Sequence, residues 1–87
     1  MEIDGILDLH TFRPSEVKDL LSDYIEECLS RDIRDIRIIH GKGLGVLRAT
    51  VESVLKRHPA VLHYHLADET AGGRGATLVR LHPRPTS

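Results

Sequence analysis

Asp8 and His10 stand two residues apart in Ile6-Leu7-Asp8-Leu9-His10, a segment that alternates apolar and polar over too few positions to be a helix. On a strand such residues share a face, so the carboxylate can orient or polarise the imidazole, or both can approach one metal ion or one water. By itself the pair is also what the exposed end of an ordinary surface strand looks like. It gains weight if a third group reaches the same edge, and His40 is the candidate, where an apolar β-branched run meets a glycine-rich turn.

That turn reads His40-Gly41-Lys42-Gly43-Leu44-Gly45-Val46. A Walker loop needs Ser or Thr after its lysine, and Lys42 is followed by Gly43; a dinucleotide fingerprint needs glycine at 46, where Val46 stands. No nucleotide cofactor is therefore expected. What survives is more general: Gly41, Gly43 and Gly45 let the backbone turn its amides outward ahead of a helix N-terminus, whose dipole favours an anion such as a phosphodiester. Lys42 and Arg74 are expected to neutralise that anion, with Arg48 in the same nucleic-acid-binding set. The plainer alternative is a tight strand-to-helix turn with no ligand.

A few elements must position these side chains. In the first strand, Leu7 and Leu9 point one way and Asp8 and His10 the other. Pro14 suits a first helical position, and Val17, Leu20, Leu21, Tyr24, Ile25 and Cys28 recur at three- and four-residue intervals. A second strand is expected over 34–39, and a second helix carries Leu47, Val51, Val54 and Leu55 until Pro59 stops it at His58. Strands at 61–66 and 76–81 follow, joined by a glycine-rich hairpin loop.

The order β-α-β-α-β-β predicts a two-layer α/β sandwich: a four-stranded mixed sheet with both helices on one face and the other face partly open. Each strand-helix-strand unit should give parallel neighbours, and the last two strands an antiparallel hairpin. The carboxyl ends of the first three strands then share one edge, where such folds place ligands. His10, His40 and the loop Gly72-Gly73-Arg74-Gly75 should meet there. His63 and His65 share the strand face opposite Leu62, Tyr64 and Leu66, where nothing else is expected to converge, and His58 and His82 punctuate the chain beside prolines. Residues 1–82 read as a single domain and 83–87 as a disordered tail.

Composition narrows the class. Eighty-seven residues, 40% hydrophobic and 29% charged, suit one thin-cored globular domain. A lone cysteine, Cys28, on an apolar helix stripe forbids an internal disulfide and suits a reduced, cytoplasmic protein. No run of 18 apolar residues is present, and the start lacks the pattern of a signal peptide. The net charge of −1 conceals an acidic first third, with eight acids against two bases in 1–29, and a basic remainder, with five acids against ten bases. A basic patch can meet phosphates, though the balance is not that of a dedicated nucleic-acid binder. With no tryptophan, two tyrosines and Phe12 the single phenylalanine, base stacking cannot dominate recognition.

LDLH at 7–10, IIHGKGLGVLR at 38–48 and GGRGATLVRL at 72–81 occur with the spacing and element order of the Smr (small MutS-related) domain, and the chain resembles that family over nearly its whole length. The resemblance implies a fold like the C-terminal domain of a bacterial translation initiation factor, and endonuclease activity, typically nicking of DNA and in some members cleavage of RNA, in the setting of DNA repair and recombination. It further implies that Asp8, His10, His40, Gly41 and Gly43 form the functional site. The family commonly reads LDLHG, whereas Thr11 stands in the last place here, and its β-carbon would narrow the mouth of the site or alter its first turn. No N-terminal extension of the kind standalone members carry precedes the first strand, so an excised or minimal domain, part of or associated with a larger DNA-processing protein, is expected.

The expectation is thus an endonuclease nicking DNA, structure-selective or non-specific. Asp8, His10 and His40 are its catalytic candidates, with Asp8 a possible ligand for magnesium or manganese; Gly41, Lys42, Gly43, Gly45, Arg48 and Arg74 hold the phosphate. The alternatives are a nucleic-acid-binding module that does not cut, and cleavage of RNA or at a ribosome surface. A protein adaptor ranks last.

Overall fold

Six elements form in the expected order in the computed structural model, which describes residues 3–41, 45–67 and 75–83. They are β1 (Ile6–Asp8), α1 (Pro14–Ser30), β2 (Asp35–Ile39), α2 (Val46–Arg57), β3 (Val61–Leu66) and β4 (Ala76–Leu81). Residues 84–87, most of the expected tail, lie outside the described residues. Pro14 opens α1, and the helix closes where Arg31 donates its N–H to the carbonyls of Cys28 and Glu27; Ile33 then donates to Cys28 as the chain turns toward β2. His58, followed by Pro59, stops α2. The His58 ring accepts the Ala60 N–H at Nδ1 and faces Glu26 of α1 across 3.5 Å at Nε2, which ties the two helices together.

The strand order is β1-β2-β4-β3, with β1 parallel to β2 and β4 antiparallel to both β2 and β3. This corrects one expectation: β2 and β3 run parallel but are not neighbours, because β4 turns back and takes the slot between them. Burial gives the reason. Thr77, Val79 and Leu81 of β4 are buried on one face and Leu78 is half-buried on the other, whereas β3 carries the exposed His63 and His65. The strand able to bury both faces goes to the middle, and the half-polar one becomes an edge. Since β3 keeps its direction, the carboxyl ends of β1, β2 and β3 still share one edge.

Both helices cover one face. Leu7 and Leu9, Ile36 and Ile38, and Val79 and Leu81 form a single buried cluster with Val17, Leu21, Tyr24, Ile25 and Cys28 of α1 and Val51, Val54 and Leu55 of α2. Each fully buried aliphatic side chain contributes roughly 1.5–3 kcal/mol relative to exposure. Tyr24 does more than fill space: its hydroxyl accepts the Gly5 N–H (3.0 Å) and donates to the Ile6 carbonyl (3.2 Å), fixing the entry to β1. Gly5 itself has φ +90°, and a β-carbon there would lie 2.9 Å from the Asp35 carbonyl oxygen, so only glycine lets β1 approach β2 so closely. Burial pushes the Cys28 thiol up to about 11, leaving it protonated and packed.

The uncovered face is less empty than the sequence suggested. Register places Ile6, Arg37, Leu78 and His65 in one row across all four strands, with Asp35, Arg80 and His63 in the next. Arg80 binds Asp35 through both carboxylate oxygens (2.6 and 2.7 Å), and the His63 and His65 rings stack at 6.4 Å between centroids. These residues line a shallow groove of about 340 Å³, so side chains of three other strands do converge on the histidines.

Candidate active site

At the carboxyl end of β1 the chain makes a compact turn around one carboxylate. Asp8 Oδ1 accepts the His10 backbone N–H at 3.0 Å and its ring Nδ1–H at 2.6 Å. The two bonds lock both residues on the exposed side of the strand, with the His10 side chain 65% exposed. Because Nδ1 faces the carboxylate, Nε2 is the nitrogen presented outward. The His10 backbone N–H and then its ring hold the Asp8 carboxyl below its usual range, so it stays ionised and able to steady a positive imidazolium. Meanwhile Leu9 donates to the Ile39 carbonyl (2.8 Å), extending the β1–β2 ladder to the base of the turn, and Phe12 donates back to Leu9 (2.9 Å).

His40 comes to the same edge but not to the same face. Asp8 pairs with Ile39, and His40, one residue further, turns its ring under the helices, where it is buried. Its Nδ1 bonds the Gly41 carbonyl at 3.2 Å, and since a carbonyl can only accept, Nδ1 carries the hydrogen. Nε2 is then free to accept the Thr77 hydroxyl at 2.8 Å. Both ring nitrogens are engaged by the protein itself. The backbone N–H groups of His40 and Gly41 both donate to the Gly75 carbonyl (2.8 and 2.9 Å), so the end of the β3–β4 loop is stitched to the start of the glycine turn.

Gly41 and Gly45 have φ +79° and +84°, conformations that a side chain would strain, although a β-carbon at either position would meet nothing within 4 Å. Gly45 caps α2, and among the described residues no side chain bonds the first amides of the helix; Arg48 is exposed on its first turn. Lys42, Gly43 and Arg74 lie outside the described residues. For a metal ion the described residues offer Asp8 Oδ2 and the outward His10 Nε2, and no group of three or more His, Cys, Asp or Glu gathers among them. Thr11 is exposed on the turn that follows His10.

Sequence reasoning brought Gly75 to this edge with its loop, as found, but missed one participant, Thr77. Thr77 had a legible signal: a hydroxyl on the inward face of an apolar strand requires a polar partner. Which partner it finds depends on the β2–β4 register, which pairs Thr77 with Ile38 and so sets it near His40.

The sequence model of the Smr domain family matches residues 7–82. Among curated relatives, "Endonuclease MutS2" of Clostridium tetani is 34% identical over 79 residues, and that of Streptococcus pyogenes serotype M5 is 41% identical over 75, covering 91% and 86% of this chain. In each case the match takes in 10% of the relative, so the chain spans about a tenth of their length. The crystal structure of the Smr domain of Thermus thermophilus MutS2 superposes with a TM-score of 0.86 at 30% identity, covering 92% of this chain and all of that one. YdaL, a stand-alone small MutS-related protein from Escherichia coli, gives 0.83 at 28% identity, covering 90% of this chain and 64% of its own.

Proposed function

This chain belongs to the Smr domain family, and from that premise we propose that it is an endonuclease that hydrolyses phosphodiester bonds in nucleic acid, nicking DNA. The observation that carries the reading is the 2.6 Å bond from His10 Nδ1 to an ionised Asp8, on a side chain otherwise open to solvent. A carboxylate so placed fixes the imidazole's tautomer and steadies its protonated form. His10 Nε2 takes a proton from the attacking water as the water oxygen bonds to phosphorus; the P–O bond to the leaving sugar oxygen breaks, that oxygen takes a proton from solvent water, and the imidazolium returns its proton to solvent. Positioned proton transfer of this kind contributes typically about 10² to 10⁴-fold.

The scissile phosphate sits against the amides at the start of α2, with Arg48, Lys42 and Arg74 balancing its charge. His40, its two nitrogens occupied, holds the Gly41 turn in shape. A magnesium or manganese ion brought by the phosphate would have Asp8 Oδ2 as its protein ligand and would neutralise charge on the phosphoryl oxygens.

The test is conversion of supercoiled plasmid to nicked circle, with magnesium, with manganese and with chelator, alongside His10→Ala and Asp8→Asn. Loss of nicking by about two orders of magnitude or more in both variants supports the dyad; nicking that survives both rejects it. One observation favours a second reading, a nucleic-acid-binding module that does not cut: the chain spans only a tenth of the relatives named endonucleases. That reading predicts binding to DNA or RNA that falls as salt rises, with no product from either.

A further inference from the structure

Among the described residues β3 is the outer strand of the sheet with one edge unpaired, and that edge is unprotected in composition. From Val61 to Leu66 there is no Lys, Arg, Asp, Glu or Pro, the residues with which sheets blunt an edge against pairing. Two of the four large hydrophobic side chains exposed among the described residues, Leu62 at 49% and Leu66 at 37%, lie on it, with Tyr64 half-buried between them. The opposite edge, β1, is only three residues long.

The hydrogen-bond phase of this edge is fixed. Ala67 donates to the Ala76 carbonyl (3.0 Å), and bonded pairs alternate along an antiparallel ladder, so His65 and His63 direct their backbone groups to β4. Tyr64 and Leu66 therefore turn their N–H and C=O groups outward. The sequence there, Leu62-His63-Tyr64-His65-Leu66, reads the same in both directions. Laid antiparallel against itself about a two-fold axis at Tyr64, it forms a bonded Tyr64 pair at the centre, sets His63 opposite the partner's His65, and Leu62 opposite the partner's Leu66. A two-fold interface uses the same patch on both copies, and here the palindrome makes it place apolar side chains opposite apolar ones. Charge permits it as well. The strand brings no carboxylate, lysine or arginine to the seam, only His63 and His65, and the charged α2 side chains that line the cleft beside Tyr64, Glu52, Lys56 and Arg57, are of both signs, so the two copies can meet there without net repulsion. The bulge at Leu62 falls on the end pair at each end of the seam, Leu62 with the partner's Leu66, and leaves the three central pairs, over His63 to His65, regular.

We propose that the free edge of β3 is a self-association surface on which a second copy of this chain pairs antiparallel about Tyr64. Two short strands meeting edge to edge bury less than the ~1,200 Å² of a standard interface, so the dimer is weak and reversible.

Sedimentation equilibrium of the whole chain from about 10 µM to 1 mM should show a monomer–dimer equilibrium whose dimer fraction rises with concentration. Leu66→Lys and Leu62→Lys, both at exposed positions, should each weaken it about tenfold or more by placing a cation on an apolar seam. Tyr64→Cys should form a disulfide-linked dimer under mild oxidation, because a bonded antiparallel pair has Cα atoms about 5.5 Å apart, within disulfide reach; Ser30→Cys, exposed at the end of α1, should not. A chain that stays monomeric near 1 mM, as it would if this edge served only a different protein, overturns the proposal. So does a dimer that both lysine variants leave unchanged, since another surface would then hold it.

Discussion

Replacing Thr77 with valine tests whether His40 is a fixed structural pin. The hydroxyl is almost fully buried and lies 2.8 Å from His40 Nε2, while Nδ1 is committed to the Gly41 carbonyl. Valine keeps the side-chain volume, so no cavity opens, and the change isolates one hydrogen bond. It leaves Nε2 as a buried acceptor without a donor, which costs ~1–3 kcal/mol. A domain of this length has a total stability of roughly 4–13 kcal/mol at ~0.05–0.15 kcal/mol per residue. At about 4–8 °C of Tm per kcal/mol, Thr77→Val should lower Tm by about 4–24 °C. Urea unfolding followed by circular dichroism, with an unchanged m-value, gives the free energy directly. Thr77→Ser keeps the hydroxyl and should cost only ~1 kcal/mol for the lost methyl. In a double-mutant cycle, His40→Phe combined with Thr77→Val removes donor and acceptor together and should destabilise less than the two single changes added. The reasoning fails if Thr77→Val lies within about 0.5 kcal/mol of the parent, or if the cycle is additive.

Gly5→Ala should cost ~2 kcal/mol or more, because a β-carbon 2.9 Å from the Asp35 carbonyl adds to the strain of a positive φ, whereas Gly45→Ala, with open space around it, should cost only ~1 kcal/mol; equal urea midpoints for the two would contradict this. Cys28, buried with its thiol pushed up to about 11, should resist an aromatic disulfide reagent at pH 8 in the folded protein and react fully in urea, so rapid labelling without denaturant would be the contrary result. Asp8 has its carboxyl lowered below the usual 3.8 in the fold, so its bonds to His10 favour the folded state above that pH and are lost as pH falls through the lowered value. Asp8→Asn should therefore flatten the acid side of a Tm-against-pH curve by less than ~1 kcal/mol, since the carboxylate is about half exposed; a loss of the same size at pH 3 and pH 7 would show that ionisation plays no part.

Much of this protein was decided locally. The alternation of Ile6 to His10 set Leu7 and Leu9 inward and Asp8 and His10 outward, and a two-residue separation at a strand end is enough for a carboxylate to close a turn on the imidazole that follows it. The three- and four-residue recurrences in α1 and α2 likewise chose the buried faces, and Pro14 and Pro59 marked where helices could begin and end. Such features depend on neighbours a few bonds away, and their periods are written in the order of side chains.

Pairing across the sheet was not written that way. Nothing local states that β4 separates β2 from β3; that follows from which strand can bury both faces once the helices cover one side. The fate of His40 hangs on this choice. With β4 beside β2, Thr77 and Gly75 arrive to bind its ring and its backbone, and its side chain is taken up beneath the helices while Asp8 and His10 stay on the open face. A third histidine at the site's edge thus becomes a buried support, because parity along β2 turns it to the face opposite Asp8 and the β2–β4 register supplies its partner. The sequence by itself determined the dyad, the turns and the apolar stripes; only the tertiary structure decided which histidine meets solvent, since that depends on contacts between residues 37 positions apart.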